Sequence, residues 1–287
     1  MQPQDTPSLY DRLGGEKEES CLLQNAVSIR EVMSTDILTV RPEEAIPEAA
    51  RRMSERNIGA AIVEPETRRS RRPGIIAERD VLKCVASGRE PEYMHVADLF
   101  TPEAMTIPPD SSLQQAAKVM TSDGFRHLIV FDGEETLGIV SIRDIVGRWS
   151  KEGLLLGLGT QIREAMTTEE VFAVGLEDTL REAARKMGER GIGAAMVKPA
   201  KKGRPPGMIS AREVLHSVAA GQDSDTERVA DHLAPRRTFS APDWSLSQAA
   251  EAMTKGGFQH IVVVDMNGIA GILSMRDLMR SLLGSSK

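Results

Sequence analysis

The sequence predicts a mixed α/β (α+β) fold built from four tandem repeats grouped as two modules, and three observations predict it. A seven-residue phrase occurs four times: Gly74-Ile-Ile-Ala-Glu-Arg-Asp80, Gly138-Ile-Val-Ser-Ile-Arg-Asp144, Gly207-Met-Ile-Ser-Ala-Arg-Glu213 and Gly271-Ile-Leu-Ser-Met-Arg-Asp277. From Gly74 to Gly138 is 64 positions, from Gly138 to Gly207 is 69, and from Gly207 to Gly271 is 64 again, so the copies come as two pairs. Upstream, Met53-Ser-Glu-Arg-Asn-Ile-Gly-Ala-Ala matches Met187-Gly-Glu-Arg-Gly-Ile-Gly-Ala-Ala, while Gly124-Phe-Arg-His-Leu matches Gly257-Phe-Gln-His-Ile. First matches third and second matches fourth, the signature of a duplicated two-repeat unit.

Each copy follows the same order of elements. A short helix (residues 29–33, 96–99, 162–166 and 229–233) leads into an extended stretch. A polar turn then opens an amphipathic helix, 46–56 in the first copy, with Ile46, Ala49, Ala50 and Met53 at helical spacing. Leu113, Ala116, Ala117 and Met120, then Leu180, Ala183, Ala184 and Met187, then Leu246, Ala249, Ala250 and Met253 repeat that stripe. The stripe reads as core, and its Ala-Ala pairs let a helix lie close to a sheet. An apolar strand follows (60–63, 127–131, 194–197, 260–264), then a turn, a strand beginning at the Gly of the phrase, and a last helix near its acid. The order is β, α, β, β, α, with two strands adjacent, and one copy alone is too small to stand. Two copies are expected to pack face to face.

The boundaries read as an N-terminal tail over 1–26, a first module over 27–150 (repeats about 27–88 and 94–150), a linker over 151–160 and a second module over 161–287 (repeats about 161–221 and 227–284). Each module is long enough to bury its own core. The tail holds Ser8-Leu-Tyr-Asp-Arg-Leu-Gly-Gly, which is similar to the opening of truncated haemoglobins. No globin-length helical segment follows, so it reads as a short tail or docking helix.

Composition narrows the function classes. With 36 basic against 42 acidic side chains, net charge −6, the chain does not have the balance of a general binder of nucleic acid or anionic membrane. Its apolar runs are too short to span a bilayer and its start lacks signal-peptide features, so a cytoplasmic location is expected. Cys21 and Cys84 stand in unlike contexts and read as free thiols. No nucleophile elbow, Walker loop, metal-binding His pair or dinucleotide fingerprint is present, so no catalytic residue, metal or cofactor is expected.

The four phrases in register, with the Ala-Ala helix and the strand before them, resemble cystathionine-β-synthase-type (CBS) domains, here four of them as two CBS-pair, or Bateman, modules over about residues 27–284. The resemblance implies a regulatory module that binds AMP, ADP or ATP, and less often S-adenosylmethionine or a cyclic dinucleotide, in clefts between paired repeats. It implies that the Asp of the phrase holds ribose hydroxyls and the Ser or Thr reaches a phosphate. The chemistry fits, since a carboxylate accepts from both hydroxyls and a hydroxyl at a helix start suits an anion. Arg79, Arg143, Arg212 and Arg276 add planar donors nearby.

On that pattern the second copy (Ser141, Arg143, Asp144) and the fourth (Ser274, Arg276, Asp277) are complete. The first has Ala77 in place of the hydroxyl but keeps Asp80; the third has Ser210 but Glu213 in place of Asp. A further Ser/Thr position on the extended stretch is matched by Thr39, Thr106 and Ser240, with Ala173 in the third copy. Basic positions before the strand are matched by Arg126 with His127 and by His260, with Gln259 replacing the Arg. One well-formed site per module is expected, centred on the second and fourth copies. The backbone at Ile58, Gly59 and Ala60, and at Ile192, Gly193 and Ala194, either lines an adenine slot or simply permits tight strand packing.

Other readings stay open at individual residues. Ser141 with Asp144, and Ser274 with Asp277, also suit a helix N-cap that needs no ligand. His127 and His260 read as structural or as phosphate contacts. The runs Arg68-Arg69-Ser70-Arg71-Arg72 and Lys201-Lys202-Gly203-Arg204 read as solvated loops, or as docking sites for an acidic partner or polyphosphate. The whole chain reads as a stand-alone sensor, within one chain or an assembly of two chains, that signals to an unidentified regulated protein. The alternatives are a ligand-free interaction scaffold, a sensor of S-adenosylmethionine or cyclic di-AMP, and a basic-loop nucleic-acid accessory, which the net charge disfavours.

Overall fold

Every helix that carries the apolar stripe packs that stripe inward, and the sequence provides most of them with a cap. The computed structural model describes residues 27–64, 72–153, 159–168, 172–197, 207–234, 239–266 and 268–284. The N-terminal tail with Cys21, residues 154–158 of the linker, the run at 68–71 and the run at 201–204 lie outside them.

Repeat 1 is β1 (Thr39–Val40), α1 (Ile46–Glu55), β2 (Ala60–Val63), β3 (Gly74–Ala77) and α2 (Glu78–Ala86). Repeat 2 is β4 (Thr106–Ile107), α3 (Leu113–Ser122), β5 (His127–Phe131), β6 (Thr136–Ser141) and α4 (Ile142–Lys151). Repeat 3 opens with the single turn α5 (Ile162–Ala165) and continues as β7 (Ala173–Val174), α6 (Leu180–Glu189), β8 (Ala194–Val197), β9 (Gly207–Ser210) and α7 (Ala211–Ala219). Repeat 4 is β10 (Phe239–Ser240), α8 (Leu246–Gly256), β11 (His260–Asp265), β12 (Gly268–Ser274) and α9 (Met275–Leu282). The observed order is the predicted β, α, β, β, α. Each repeat makes one three-stranded sheet whose first strand runs parallel to the second, as Thr39 beside Ile62, and whose second runs antiparallel to the third, as Ala60 opposite Ala77.

Ser112, Thr179 and Ser245 cap α3, α6 and α8, each accepting from the backbone N–H three residues on while Gln115, Glu182 or Gln248 reaches back. Such a cap contributes about 1 kcal/mol. Helix α1 has Ala45 at that position and uses Pro47 in its first turn instead.

The paired repeats exchange their leading segments. The Ile29 N–H donates to the Ser111 carbonyl, and fully buried Ile29 enters the core of repeat 2; in return Val96 donates to Glu44 in repeat 1. Beyond each leader one residue pairs with the partner sheet, Ser34 with Ile139 and Thr101 with Ile75. This pairing explains why the phrase opens on glycine. A Cβ on Gly138 would sit 2.7 Å from the Ser34 carbonyl oxygen, and one on Gly271 2.6 Å from that of Thr167.

The cores do not follow the module boundary. One hydrophobic cluster joins repeats 2 and 4 through α3, α4, α8 and α9, with Met120, Ile145, Met253 and Leu278 fully buried. Another joins repeats 1 and 3 through α1, α2, α6 and α7, with Ile46, Met53, Leu180 and Val214 at its centre. Between the sheets of repeats 1 and 2 lies a smaller cluster of Ile62, Ala104 and Ile129. Each module is long enough to bury its own core, but the helical faces pack across the boundary, each covered by the equivalent face of the other module. Arg181 on α6 fastens the same junction, donating to Glu90 at 2.7 Å, to Asp225 at 2.6 Å and to the Val85 carbonyl at 3.0 Å. Among the described residues no helix is long and apolar enough to cross a membrane.

Candidate functional site

A cleft of about 230 Å³ opens in module one where repeat 1 faces the β6–α4 junction of repeat 2. Repeat 1 contributes Ser34, Asp36, Ile37 and Leu38 from the stretch before β1, and Asn57, Ile58, Gly59 and Ala60 from the approach to β2. Repeat 2 contributes Arg126 and His127 at the head of β5, and Ser141, Arg143 and Asp144 from the phrase. Module two closes it with Arg212 and Gln259.

The phrase residues sit where they do because the last helix begins inside the phrase. Ser141 is the N-cap of α4: its backbone N–H and hydroxyl both donate to Asp144 Oδ2, at 2.8 and 2.7 Å. Ser274 and Asp277 repeat this at α9, at 3.0 and 2.6 Å. The cap is therefore real, and it uses one carboxylate oxygen, so Oδ1 of each Asp carries no hydrogen bond among the described residues. In repeat 3 Glu213 folds back on Ser210 in the same way, at 2.6 Å, and burial pushes its carboxyl above the usual range. In repeat 1 Asp80 accepts from the Ala77 backbone at 2.9 Å, its one hydrogen bond among the described residues, and burial raises it too.

Reciprocal contacts between modules define a pseudo-two-fold axis. Arg143 donates to the Gly257 carbonyl, and Arg276 to the equivalent Gly124 carbonyl. Around the axis five guanidinium groups converge: Arg79, Arg126, Arg143, Arg212 and Arg276. The buried carboxylate of Glu78 pairs with Arg126 and with Arg212, each at 3.4 Å. Arg212 also reaches across to Asn57 at 2.9 Å. Burial, then the charge of Arg79, lowers Arg126 to about 10, and burial and Arg212 lower Arg143. Among the described residues Nε of Arg79, Arg143 and Arg276 is buried without a hydrogen-bond partner. Such a cluster favours an anion with several oxygens, because guanidinium donors left buried and unmatched are costly.

His127 and His260 head their strands opposite Ser141 and Ser274. Burial, followed by the charge of Arg126, depresses both to about 3, so both are neutral at physiological pH. They offer one donor and one acceptor, not a positive charge. Among the described residues no group of three or more His, Cys, Asp or Glu could hold a metal ion. Cys84 is buried and burial pushes its thiol up.

Of the predicted residues, the cleft of module one gathers Arg126, His127, Ser141, Arg143 and Asp144 with Ile58, Gly59 and Ala60. Module two places Ser274, Arg276, Asp277 and His260 equivalently, with Ala211 donating to the Gly193 carbonyl as Glu78 does to that of Gly59. Ile192 and Ala194 flank Gly193, and Ala194 is paired with Ser210. Thr39 and Thr106 lie on β1 and β4, paired with Ile62 and Ile129, and are not among the residues lining the module-one cleft; Ser240 is buried on β10, its hydroxyl without a partner among the described residues. The chain has already entered the sheet at those positions, and Ser34 and Asp36, upstream of β1, are the side chains that reach the cleft.

Glu78, Asn57 and the cross-module placement of Arg79, Arg212 and Gln259 were not read from the sequence. One signal was present for Glu78: it is charged where the other three phrases have Ile142, Ala211 and Met275.

Known proteins agree with this architecture. An uncharacterised protein of Methanopyrus kandleri is 35% identical over 123 residues, covering 42% of this chain and 62% of that protein. The CBS domain-containing protein YhcV of Bacillus subtilis is 31% identical over 127 residues, covering 44% of this chain and 88% of that protein. The chain spans 62% and 55% of the length of the first curated relatives it matches. A solved structure from Methanocaldococcus jannaschii, proposed as an archaeal homologue of g-AMPK, superposes with a TM-score of 0.75 over 89% of this chain and 99% of that one; at 16% identity the likeness is one of fold. The CBS domain model matches residues 29–87, 96–151, 162–220 and 239–284. With four matches covering most of its length, and four copies of one unit in its structure, the chain belongs to the CBS domain family.

Proposed function

We propose that this protein is a regulatory sensor that binds an adenine nucleotide, AMP, ADP or ATP, in the clefts between paired repeats and signals to a partner protein. The reading rests on the module-one cleft. There a carboxylate with one oxygen unbonded among the described residues (Asp144), an apolar slot (Ile58, Gly59, Ala60) and guanidinium groups (Arg126, Arg143, Arg212) face a single space. These are the three kinds of group that a ribose diol, a purine and a phosphate call for. Because Arg212 comes from the other module, a ligand there touches both, and its binding favours one arrangement of the modules over another. The role is regulatory, not catalytic, with no metal and no cofactor, in the cytoplasm.

One observation favours a second reading. Ser141 and Asp144, like Ser274 and Asp277, already satisfy each other as caps, which a ligand-free scaffold would also require. Isothermal titration with AMP, ADP, ATP, S-adenosylmethionine and cyclic di-AMP decides between them, with Asp144→Ala and Asp277→Ala in parallel. About two sites for one adenylate, each lost with its own Asp, support the sensor; no heat and no thermal shift with any ligand supports the scaffold.

A further inference from the structure

Where repeats 1 and 3 pack together, the pseudo-two-fold relation duplicates a set of acceptors but not the cation that they hold. Arg181, the second residue of α6, uses all three guanidinium nitrogens at the C-terminal end of α2. Nη1 donates to the Val85 and Arg89 carbonyls at 3.0 and 3.2 Å, Nη2 to Glu90 at 2.7 Å and Nε to Asp225 at 2.6 Å. The equivalent helix of repeat 1 is α1, aligned through Ile46 with Leu180, and its second residue is Pro47. Helix α1 packs on α7 as α6 packs on α2. Counted from Gly74 and Gly207, Val85 corresponds to Val218, Arg89 to Gln222, Glu90 to Asp223 and Asp225 to Glu92.

A cavity of about 90 Å³ lies at this second place, lined by Pro47, Val218, Gln222, Asp223 and Glu92, and none of these residues lines the cleft of module one. Among the described residues neither Asp223 nor Glu92 forms an ion pair, and Asp223 accepts one hydrogen bond, from the Asp225 N–H to Oδ1 at 2.9 Å. Ser224, 3% exposed, also lines the cavity, and its hydroxyl has no hydrogen-bond partner among the described residues; its counterpart beside Arg181 is Pro91, which offers no such group. The last carbonyls of α7 add partial negative charge at the same end. Two carboxylates, a helix C-terminus and a buried hydroxyl call for a cation with several donors. The site beside Arg181 shows which cation these acceptors fit, because a planar guanidinium reaches carbonyl and carboxylate groups at once where a compact ammonium does not.

We propose that the cavity between Pro47 and Asp223 is a binding site for a guanidinium group, borne by a free small molecule or by an arginine side chain of a partner protein. Filling it fastens α1 to the end of α7 as Arg181 fastens α6 to the end of α2, so the occupant ties the two modules together at a second point. The inference is independent of the adenylate reading above.

The test is calorimetric titration of the full chain with methylguanidinium, with methylammonium at equal ionic strength as the control for charge alone. Methylguanidinium is expected to bind in the millimolar range and about fivefold or more tighter than methylammonium. This measurement needs no variant to fold. Asp223→Asn is expected to weaken the binding about tenfold. Pro47→Arg supplies the group from within the chain; it is expected to raise the thermal midpoint by about 2 °C or more and to abolish methylguanidinium binding. Adding Asp223→Asn to Pro47→Arg is expected to cancel that rise. Titration with L-arginine and with Nα-acetyl-arginine amide separates the sources: tighter binding of free L-arginine assigns the site to a free ligand, and equal or tighter binding of the amide assigns it to a partner's side chain. Equal binding of methylguanidinium and methylammonium, no binding of either at millimolar concentration, or methylguanidinium binding unchanged by Asp223→Asn overturns the inference.

Discussion

Arg126 and Gln259 occupy equivalent positions 133 residues apart and meet across the pseudo-two-fold axis, where the Arg126 guanidinium donates to Gln259 Oε1 at 3.0 Å. In a symmetric duplicate the two positions would both be arginine or both glutamine. Two arginines would repel there, and two glutamines would leave Glu78 with one fewer cation. The observed pair gives Arg126 one neutral and one charged acceptor, Gln259 and Glu78.

Glu78 balances Arg126 and Arg212 in a buried site, so replacing it leaves guanidinium charge uncompensated. Glu78→Gln is expected to lower stability by about 3 kcal/mol, with part of the loss restored by millimolar phosphate or ATP. Urea unfolding with and without the anion measures both effects. Unchanged stability would mean that solvent, not Glu78, neutralises the cluster.

Asp144→Ala and Asp277→Ala remove a cap as well as the carboxylate proposed to hold a ribose. Each is expected to cost about 1 kcal/mol in thermal unfolding and to abolish adenylate binding in its own module only. Destabilisation with binding intact would assign these residues to capping alone.

Arg212 lies in repeat 3 and lines the cleft of module one, where it holds Asn57. Arg212→Ala is expected to weaken binding at that cleft by about tenfold, and Arg79→Ala to do the same in module two. Titration in the Asp277→Ala and Asp144→Ala backgrounds separates the two. An effect confined to the residue's own module would refute completion of each cleft by the other module.

Stability is expected to fall with acid. His127 and His260 sit at about 3 when folded against about 6.5 in an unfolded chain. Between those values the unfolded state binds protons that the native state refuses, so stability decreases as pH falls through the window, by about 1.4 kcal/mol per unit for each histidine. From pH 7 to 5 the loss is about 2–4 kcal/mol. Asp80 and Glu213, both raised, act in the opposite direction at lower pH, because the native state takes up their protons first. Urea midpoints at pH 7 and 5, for the native chain and for His127→Asn with His260→Asn, check this; equal slopes for the two would exclude the histidines as the cause.

Gly138→Ala places a Cβ 2.7 Å from the Ser34 carbonyl, which cannot retreat without breaking its pairing with Ile139. A loss of about 1–3 kcal/mol in thermal unfolding is expected. Wild-type stability would show that the leader segment shifts freely.

The repeat made much of this protein legible before any coordinates. A phrase recurring in register fixes the order of strands and helices, since the same apolar period must fold the same way four times. The caps at Ser141 and Ser274 and the gathering of Asp144 with Ile58, Gly59 and Ala60 followed from local chemistry and from the pairing of adjacent repeats. Thr39 and Thr106 lie on β1 and β4 and not among the residues lining the module-one cleft, because residue type and approximate register do not say where a chain passes from cleft to sheet.

What the sequence by itself determined is the unit: its elements, its duplication and the polar residues that gather at the cleft of module one. Tertiary structure alone decided which faces cover which, joining repeat 1 to 3 and 2 to 4, and so brought five arginines and Glu78 to one axis. The reason is physical. Helix and strand periods depend on neighbours a few residues apart, whereas Arg126 meeting Gln259 or Glu78 meeting Arg212 depends on how two complete modules bury their helical faces, and no local pattern carries that information.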